Sequence, residues 1–210
     1  MLFDLDGTII HSAPVIVEAL AHMYESLGFE VPSEAELMSW IGPPLRDSMR
    51  DKLALNPAES SRAIEIYRGY HRNDATNVAV FPGVVGVLEQ LAAANIPVAL
   101  ATSKRERTAQ QILEKLQLGG LFSVIVGAND DDSGGLKQDV VAEALLRLEY
   151  EGFDIGNPVM VGDRAHDVLG AAANGVPTIL VEWGYGNPSE ARDALAVVHS
   201  ADQLRTLLLG

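Results

Sequence analysis

Asp4-Leu5-Asp6-Gly7-Thr8 sets two carboxylates and a hydroxyl directly behind the apolar pair Leu2-Phe3. Asp4 lies inside the run Leu2 to Leu5, where a carboxylate is costly unless a cation or hydrogen bonds stabilise it. Further along, Thr102-Ser103-Lys104 follows the apolar run 97–101, and Gly162-Asp163 follows the run 158–161. Asp167 stands four residues beyond Asp163, and Lys137 precedes the helix that leads into that last run. Each residue alone has an ordinary structural use: an aspartate after a strand caps a helix, Thr-Ser makes a turn, a lysine is a solvated charge. Together they describe a site. Oxygen donors without histidine or cysteine suit a hard cation, Mg²⁺ rather than Zn²⁺. Hydroxyls and lysines beside that cation suit a phosphoryl group.

The convergence requires a particular scaffold. Short apolar runs at 2–5, 97–101, 124–126, 158–161 and 178–181 alternate with amphipathic segments, the pattern of an α/β protein with a mostly parallel sheet. Val84, Val87, Leu88 and Leu91 form one helical stripe; Ala109, Ile112, Leu113 and Leu116 form another; Val141, Ala144, Leu145 and Leu148 form a third. A further helix is predicted from Asp167 to Ala173, stopped by Asn174-Gly175. In such open sheets ligands bind beyond the carboxyl ends of the strands, where all the residues above lie.

One stretch breaks the alternation. Between the first strand and Phe81-Pro82-Gly83 no strand is predicted, and the pattern is helical: Ile16, Ala19, Leu20, Met23 and Leu27 share one face, Ile64, Tyr67 and His71 another. Gly42-Pro43-Pro44 and Asn56-Pro57 punctuate it. The expected organisation is therefore a helical module over residues 13–78, inserted into an α/β core made of 1–12 and 79–210.

Composition narrows the function classes. The 210 residues include 15 Lys+Arg and 29 Asp+Glu, a net charge of −14, so no bulk field attracts nucleic acid or an anionic membrane. The absence of cysteine excludes disulfides, thiolate metal sites and a cysteine nucleophile. No apolar run approaches the ~18 residues of a membrane span, and no signal-peptide pattern opens the chain. A cytoplasmic protein is expected, with oligomeric state unspecified.

Asp4-Leu5-Asp6-Gly7-Thr8, Thr102, Lys137 and Gly162-Asp163-Arg164-Ala165-His166-Asp167 resemble, in order and spacing, the four motifs of the haloacid dehalogenase superfamily. The resemblance covers essentially the whole chain. It implies a Rossmann-like core with a helical cap inserted after the first strand. His11-Ser12-Ala13-Pro14, Gly42-Pro43-Pro44-Leu45 and Ala101-Thr102-Ser103-Lys104 are most similar to the phosphoglycolate-phosphatase and 5′-nucleotidase-like members. The resemblance further implies that Asp4 is a nucleophile forming an aspartyl phosphate and that Asp6 is the general acid/base. Thr102 would bind phosphoryl oxygens, with Gly7, Thr8, Ser103 and Lys104 beside it, and Lys137 would neutralise charge. Mg²⁺ would be held by Asp4, the backbone carbonyl of Asp6 and Asp163, with Asp167 in support. This chemistry suits the residue types: a carboxylate attacks a phosphate dianion only once a cation and a lysine remove the repulsion. Strand-like spacing also puts residues i and i+2 on one side, so Asp6 faces the leaving group.

Two departures stand out: Gln138 follows Lys137 where the family has proline, and His11 stands where relatives have aspartate. The chain starts three residues before Asp4, as a chain lacking an N-terminal segment would. Arg46, in the Gly42-to-Arg46 loop, is a candidate substrate contact from the cap, weighed against a solvent-facing helix arginine. His166 reads as a surface turn, and Trp40, Trp183 and Tyr185 read as core rather than pocket. The leading expectation is a Mg²⁺-dependent phosphatase of a small phosphorylated metabolite, phosphoglycolate- or nucleoside-monophosphate-like. A sugar-phosphate mutase and a non-catalytic phospho-ligand binding module are the alternatives. Dehalogenation is disfavoured by Asp6 and Asp163, and phosphonate cleavage by the context of Lys52, the sole lysine between 13 and 78.

Overall fold

The computed structural model describes residues 1–71 and 76–210, with His71 described through its backbone alone. The expected place of the His71 side chain on a helical face thus lies outside the described residues. Strand β1 (Leu2–Phe3) is followed by β2 (Ile10–His11), and four helices come next: α1 (Ala13–Ser26), α2 (Glu34–Met38), α3 (Leu45–Leu53) and α4 (Pro57–His71). After β3 (Ala79–Val80) the chain alternates regularly: α5 (Val84–Ala93), β4 (Ala99–Arg105), α6 (Glu106–Lys115), β5 (Val124–Ala128), α7 (Lys137–Tyr150), β6 (Met160–Gly162), α8 (Ala165–Ala172) and β7 (Thr178–Val181). Strand β8 (Ala196–Val198) and helix α9 (Ala201–Leu209) complete it.

Six strands form one sheet in the order β5-β4-β1-β6-β7-β8, every pairing parallel. β1 is central, with Phe3 in register with Leu100 of β4 and Val161 of β6. From β1 the chain winds outward through β4 and β5, then returns to the opposite side at β6. The crevice at the carboxyl end of β1 is therefore the topological switch point, where α/β sheets bind ligands.

Alternation along the strands builds two cores. Phe3, Leu100, Val161 and Ile179 join α5, α6 and α9 through Leu88, Ile112 and Leu204. Leu2, Ala99, Ala101 and Met160 pack on the other face against α7 and α8 through Val141, Ala144 and Ala171. A third cluster belongs to α1–α4 and the turns between them: Leu20, Met23, Trp40, Met49, Ile64 and Tyr67 are buried together. The stripe read from the sequence in α5 is buried throughout, and those in α6 and α7 are buried except for Leu116 and Leu145, which are partly exposed. No helix among the described residues is long and apolar enough to cross a membrane.

The structure differs from expectation in local detail. Strand pairing was not predicted before Phe81, yet β2 and β3 form an antiparallel two-residue ribbon, Ile10 opposite Val80 and His11 opposite Ala79. Elements so short carry no periodicity. β1 stops at Phe3 because the amides of Ile9 and Ile10 turn back to the Leu5 carbonyl. α8 starts at Ala165, two residues before the predicted start, because the Asp167 carboxylate accepts the Arg164 amide as an N-terminal cap. β8 and α9 had no strong sequence pattern.

Leu100 is fully buried at the middle of the sheet. Leu100→Ala is expected to cost about 2–5 kcal/mol, read as a lower midpoint in urea unfolding.

Candidate active site

The carboxyl end of β1 carries Asp4 and the turn to Asp6; Thr102 lies mid-way along β4, just past Ala101 where its regular pairing with β5 breaks, and Asp163 directly follows β6. Lys137, at the first turn of α7, is buried beneath them. Its ammonium lies 2.6 Å from Asp4 Oδ1 and 2.8 Å from Asp167 Oδ1, and donates to the Ala101 carbonyl at 3.0 Å. Asp4, Asp163 and Asp167 are all buried, and each offers an oxygen within 4.8 Å of the others. Three buried carboxylates thus lie together, two of them bonded to one ammonium. Fully ionised, the group keeps two negative charges in excess.

The partners of Asp163 fix its orientation. Its Oδ2 accepts the Tyr185 amide at 2.7 Å and its Oδ1 faces the Thr8 hydroxyl at 3.4 Å. Asp167 Oδ2 accepts the amides of Asp163 and Arg164, each at 3.0 Å. Backbone presses close here: a Cβ on Gly7 would fall 2.2 Å from Asp163 Oδ2, and one on Gly184 would fall 2.3 Å from Asp163 Cβ. Gly7 also has a φ of +83°, which side chains rarely adopt.

Burial pushes the Asp4 carboxyl up to about 6; Lys137 pulls it down and the charge of Asp167 pushes it further up. Burial also raises Asp163 well above the ordinary carboxylate range, and Asp167 and Asp4 add to it. Burial works against the Lys137 ammonium, but Asp167 and Asp4 outweigh it and hold its pKa above the usual lysine value. The cluster therefore lacks cationic charge, and its oxygen-only donor set fits a hard divalent ion. Asp6 stands outside this cluster, its carboxylate held by Lys104 at 2.8 and 3.0 Å. It would reach a cation through its backbone carbonyl alone.

Above the cluster opens a cavity of about 520 Å³ lined by Asp4, Asp6, Thr102, Ser103 and Lys104 on the sheet side. Thr102 is buried, and its hydroxyl accepts the Lys104 amide at 3.2 Å. Leu20, Trp40, Pro44 and Tyr67 form the opposite wall. Burial raises the Tyr67 phenol above its ordinary value, with the charge of Asp6 adding to this and Arg68 opposing it.

The other candidates are distributed differently. Gly7 and Thr8 support Asp163 rather than line the cavity, and the Thr8 carbonyl accepts the Trp183 indole N–H at 3.0 Å. Arg46 does not line it either; its guanidinium lies 3.4 Å from the Ser61 hydroxyl. The arginine that α4 presents is Arg68, paired with Asp132. His166 is exposed on α8, a helix rather than a turn. Trp40 serves both core and cavity.

Sequence reasoning missed Arg68, Arg105 and Asp132, and read Tyr185 as core alone. Arg105 directly extends Thr102-Ser103-Lys104 and was the most findable. Asp132 ends an acidic run that reads as solvated surface. The Tyr185 hydroxyl accepts the amides of Ser12 and Ala13 at 2.8 and 3.0 Å and meets His11 Nδ1 at 3.2 Å, giving His11 a partner. Burial pushes that phenol up to about 12.

The raised carboxyls predict a linked pH and metal response. The folded protein holds protons on Asp4 and Asp163 that the unfolded chain gives up near pH 4. Metal-free stability therefore falls as pH rises from about 4 through 6. A cation competes with those protons, so the rise in Tm caused by Mg²⁺ should be larger at pH 7.5 than at pH 5. Asp163→Asn should raise the metal-free Tm at pH 7.5 and remove the response. An equal Mg²⁺ shift at both pH values would contradict this account.

Comparison with known proteins agrees with the geometry. The model of the family described as haloacid dehalogenase-like hydrolase matches residues 1–181. The tyrosine-protein kinase PtkA of Mycobacterium tuberculosis is 40% identical, the alignment covering 99% of this chain and 72% of that protein. A 5′-nucleotidase of Pseudomonas aeruginosa is 31% identical over 96% of this chain and 90% of its own length. The crystal structure of a predicted phosphatase from Clostridium acetobutylicum superposes with a TM-score of 0.92 at 31% identity, covering 99% of this chain and 96% of that one. With its four motifs gathered at the switch point of a parallel sheet, this chain belongs to the haloacid dehalogenase-like hydrolase family.

Proposed function

We propose that the protein is a Mg²⁺-dependent phosphatase that hydrolyses a small phosphomonoester, phosphoglycolate- or nucleoside-monophosphate-like, through an aspartyl phosphate on Asp4. The observation that carries this reading is the buried cluster of Asp4, Asp163 and Asp167 around Lys137, opening onto a cavity edged by Thr102 and Ser103. Asp4, Asp163 and the Asp6 carbonyl would hold Mg²⁺. When bound, the ion supplies charge neutralisation for an attack between two anions.

The chain's own groups do the rest. Lys137 orients the Asp4 carboxylate by its contact at 2.6 Å and offsets charge on the phosphoryl side. Asp4 attacks phosphorus through a carboxylate oxygen, and the ester oxygen leaves with a proton from Asp6. Asp6 then takes a proton from the water that opens the acyl phosphate, regenerating Asp4. Lys104, bound to both Asp6 oxygens, holds that carboxylate in one place while its proton load changes. Thr102 and Ser103 would bind the phosphoryl oxygens. Asp167, committed to Lys137 and two amides, positions rather than reacts.

Residues 13–78 would act as a cap that excludes water and meets the leaving group, supported by the separate apolar cluster of α1–α4 and by its side of the cavity. A metabolic enzyme of the cytoplasm is the setting this reading implies. The identity to PtkA carries a second reading, transfer of the same phosphoryl group to a hydroxyl other than water. A sugar-phosphate mutase would be one form of that chemistry.

The test uses p-nitrophenyl phosphate. EDTA should abolish phosphate release and Mg²⁺ should restore it. Asp4→Asn should fold yet lose at least about a thousandfold in kcat, because an amide is nearly isosteric and far less nucleophilic. Undiminished turnover in chelator would reject the metal role, and phosphoryl label found on an acceptor instead of in free phosphate would favour transfer.

A further inference from the structure

Both chain passages between the sheet and residues 13–78 close around one side chain, Tyr185. On the way in, its hydroxyl accepts the amides of Ser12 and Ala13 at 2.8 and 3.0 Å. Serine ordinarily caps a helix with its own hydroxyl. At the head of α1, Ser12 makes no such bond, and the oxygen that meets these amides comes from 173 positions away. On the way out, the Phe81 ring is centred 6.4 Å from that of Tyr185 and 5.5 Å from that of His11. With two amides on its oxygen, the phenol has its proton left for His11 Nδ1 at 3.2 Å, which is therefore the acceptor.

The backbone of the same residue serves the charged floor. Its amide donates to Asp163 Oδ2 at 2.7 Å. The glycines on either side leave no slack: a Cβ on Gly184 would fall 2.3 Å from Asp163 Cβ, and one on Gly186 2.0 Å from the Asp163 carbonyl oxygen. Of the three clustered carboxylates, Asp163 is the one that Lys137 does not reach, since its ammonium pairs with Asp4 and Asp167. Asp163 keeps its place beside two like charges through the Tyr185 amide and the Thr8 hydroxyl. A cation bound there would supply the attraction it lacks. In packing this close, a shift of Asp163 is a shift of the 184–186 backbone, and so of the hydroxyl that holds α1.

We propose that Tyr185 is a positioning residue that couples the Asp163 carboxylate to the entry and exit of the helical segment, so that a cation held at Asp163 also fixes residues 13–78 over the cavity. This rests on the Mg²⁺-dependent reading above. The coupling is reciprocal: a segment docked on the Tyr185 hydroxyl keeps the Tyr185 amide on Asp163 and so favours the cation. Arg164 offers a rival route, since it donates to the Ile41 carbonyl. That route runs through a long side chain with many rotamers, whereas Tyr185 joins the two sites through a rigid ring with two rotatable angles.

The chain has no cysteine, so cysteines introduced at the exposed positions Glu65, on α4, and Glu114, on α6, can carry spin labels that report the distance between segment and core. In this labelled protein Mg²⁺ should raise Tm and narrow the distance distribution. Tyr185→Phe removes the oxygen and keeps the amide on Asp163. It should retain a rise in Tm, bind Mg²⁺ about fivefold more weakly and lose the narrowing. Narrowing that persists in Tyr185→Phe overturns the proposal, and its loss in Arg164→Met instead would assign the coupling to Arg164. A rise in Tm without any change in distance overturns the proposal too, and leaves the phosphatase reading intact. With no rise in Tm the metal reading fails, and the coupling fails with it. Should Tyr185→Phe not fold, His11→Leu takes its place, removing the acceptor of the phenol proton at an exposed position. Weaker narrowing there supports the coupling, and unchanged narrowing rejects it.

Discussion

Asp4 and Asp167 share one buried ammonium, and Asp163 brings a third carboxylate against them. Taking carboxylates out of water is costly by several kcal/mol each, on the order of 5 kcal/mol. The fold exists around this cost. Lys137 is threaded under the sheet from α7, tied to the Ala101 carbonyl so that its charge is spent on Asp4 and Asp167. Amides of Asp163, Arg164 and Tyr185 are turned onto carboxylate oxygens, each amide supplying part of the missing positive charge. What those dipoles cannot supply, a divalent ion can.

A second charge system lies a few residues away and is closed by itself. Asp6 and Lys104 satisfy each other at the cavity edge, with both side chains mostly sheltered. The separation has a chemical sense. On the proposed mechanism, the group that would exchange protons is kept apart from the groups that would hold a cation. Two residues of spacing after β1 place Asp4 with Lys137 and Asp6 with Lys104.

Much of this was legible in the residues. The parallel sheet, most of its helical stripes and the placing of Asp4, Thr102 and Asp163 on one edge follow from apolar runs passing into polar residues, while Lys137 comes from the head of a helix. That works because a strand end is set by hydrophobic pattern, which is local. The ribbon of β2 and β3 was invisible because each strand is two residues long and its partner is some seventy positions away. Arg68 was passed over for Arg46 for a related reason. Which arginine of a helical segment faces a cavity depends on how helices pack, and both lie on amphipathic helices with apolar neighbours. Tyr185 reads from the sequence as a core aromatic, because nothing local reveals that its hydroxyl accepts amides from the start of α1.

Glycine packing around the charged floor extends beyond Gly7 and Gly184. Cβ atoms placed on Gly162 and Gly186 would collide with Asp167 and with the Asp163 carbonyl, and one on Gly170 would strike Lys137. The quartet of Asp4, Lys137, Asp163 and Asp167 has therefore left its outline in the sequence as a set of positions without side chains. Around the apolar wall of the cavity the constraint is of another kind, since volume-conserving exchanges are tolerated there. Descendants of this chain can accordingly drift in what they recognise while the floor stays frozen. On the proposed function, new specificities would arise from the helical side, and a single alanine on the floor would displace the carboxylates before it altered what they act on.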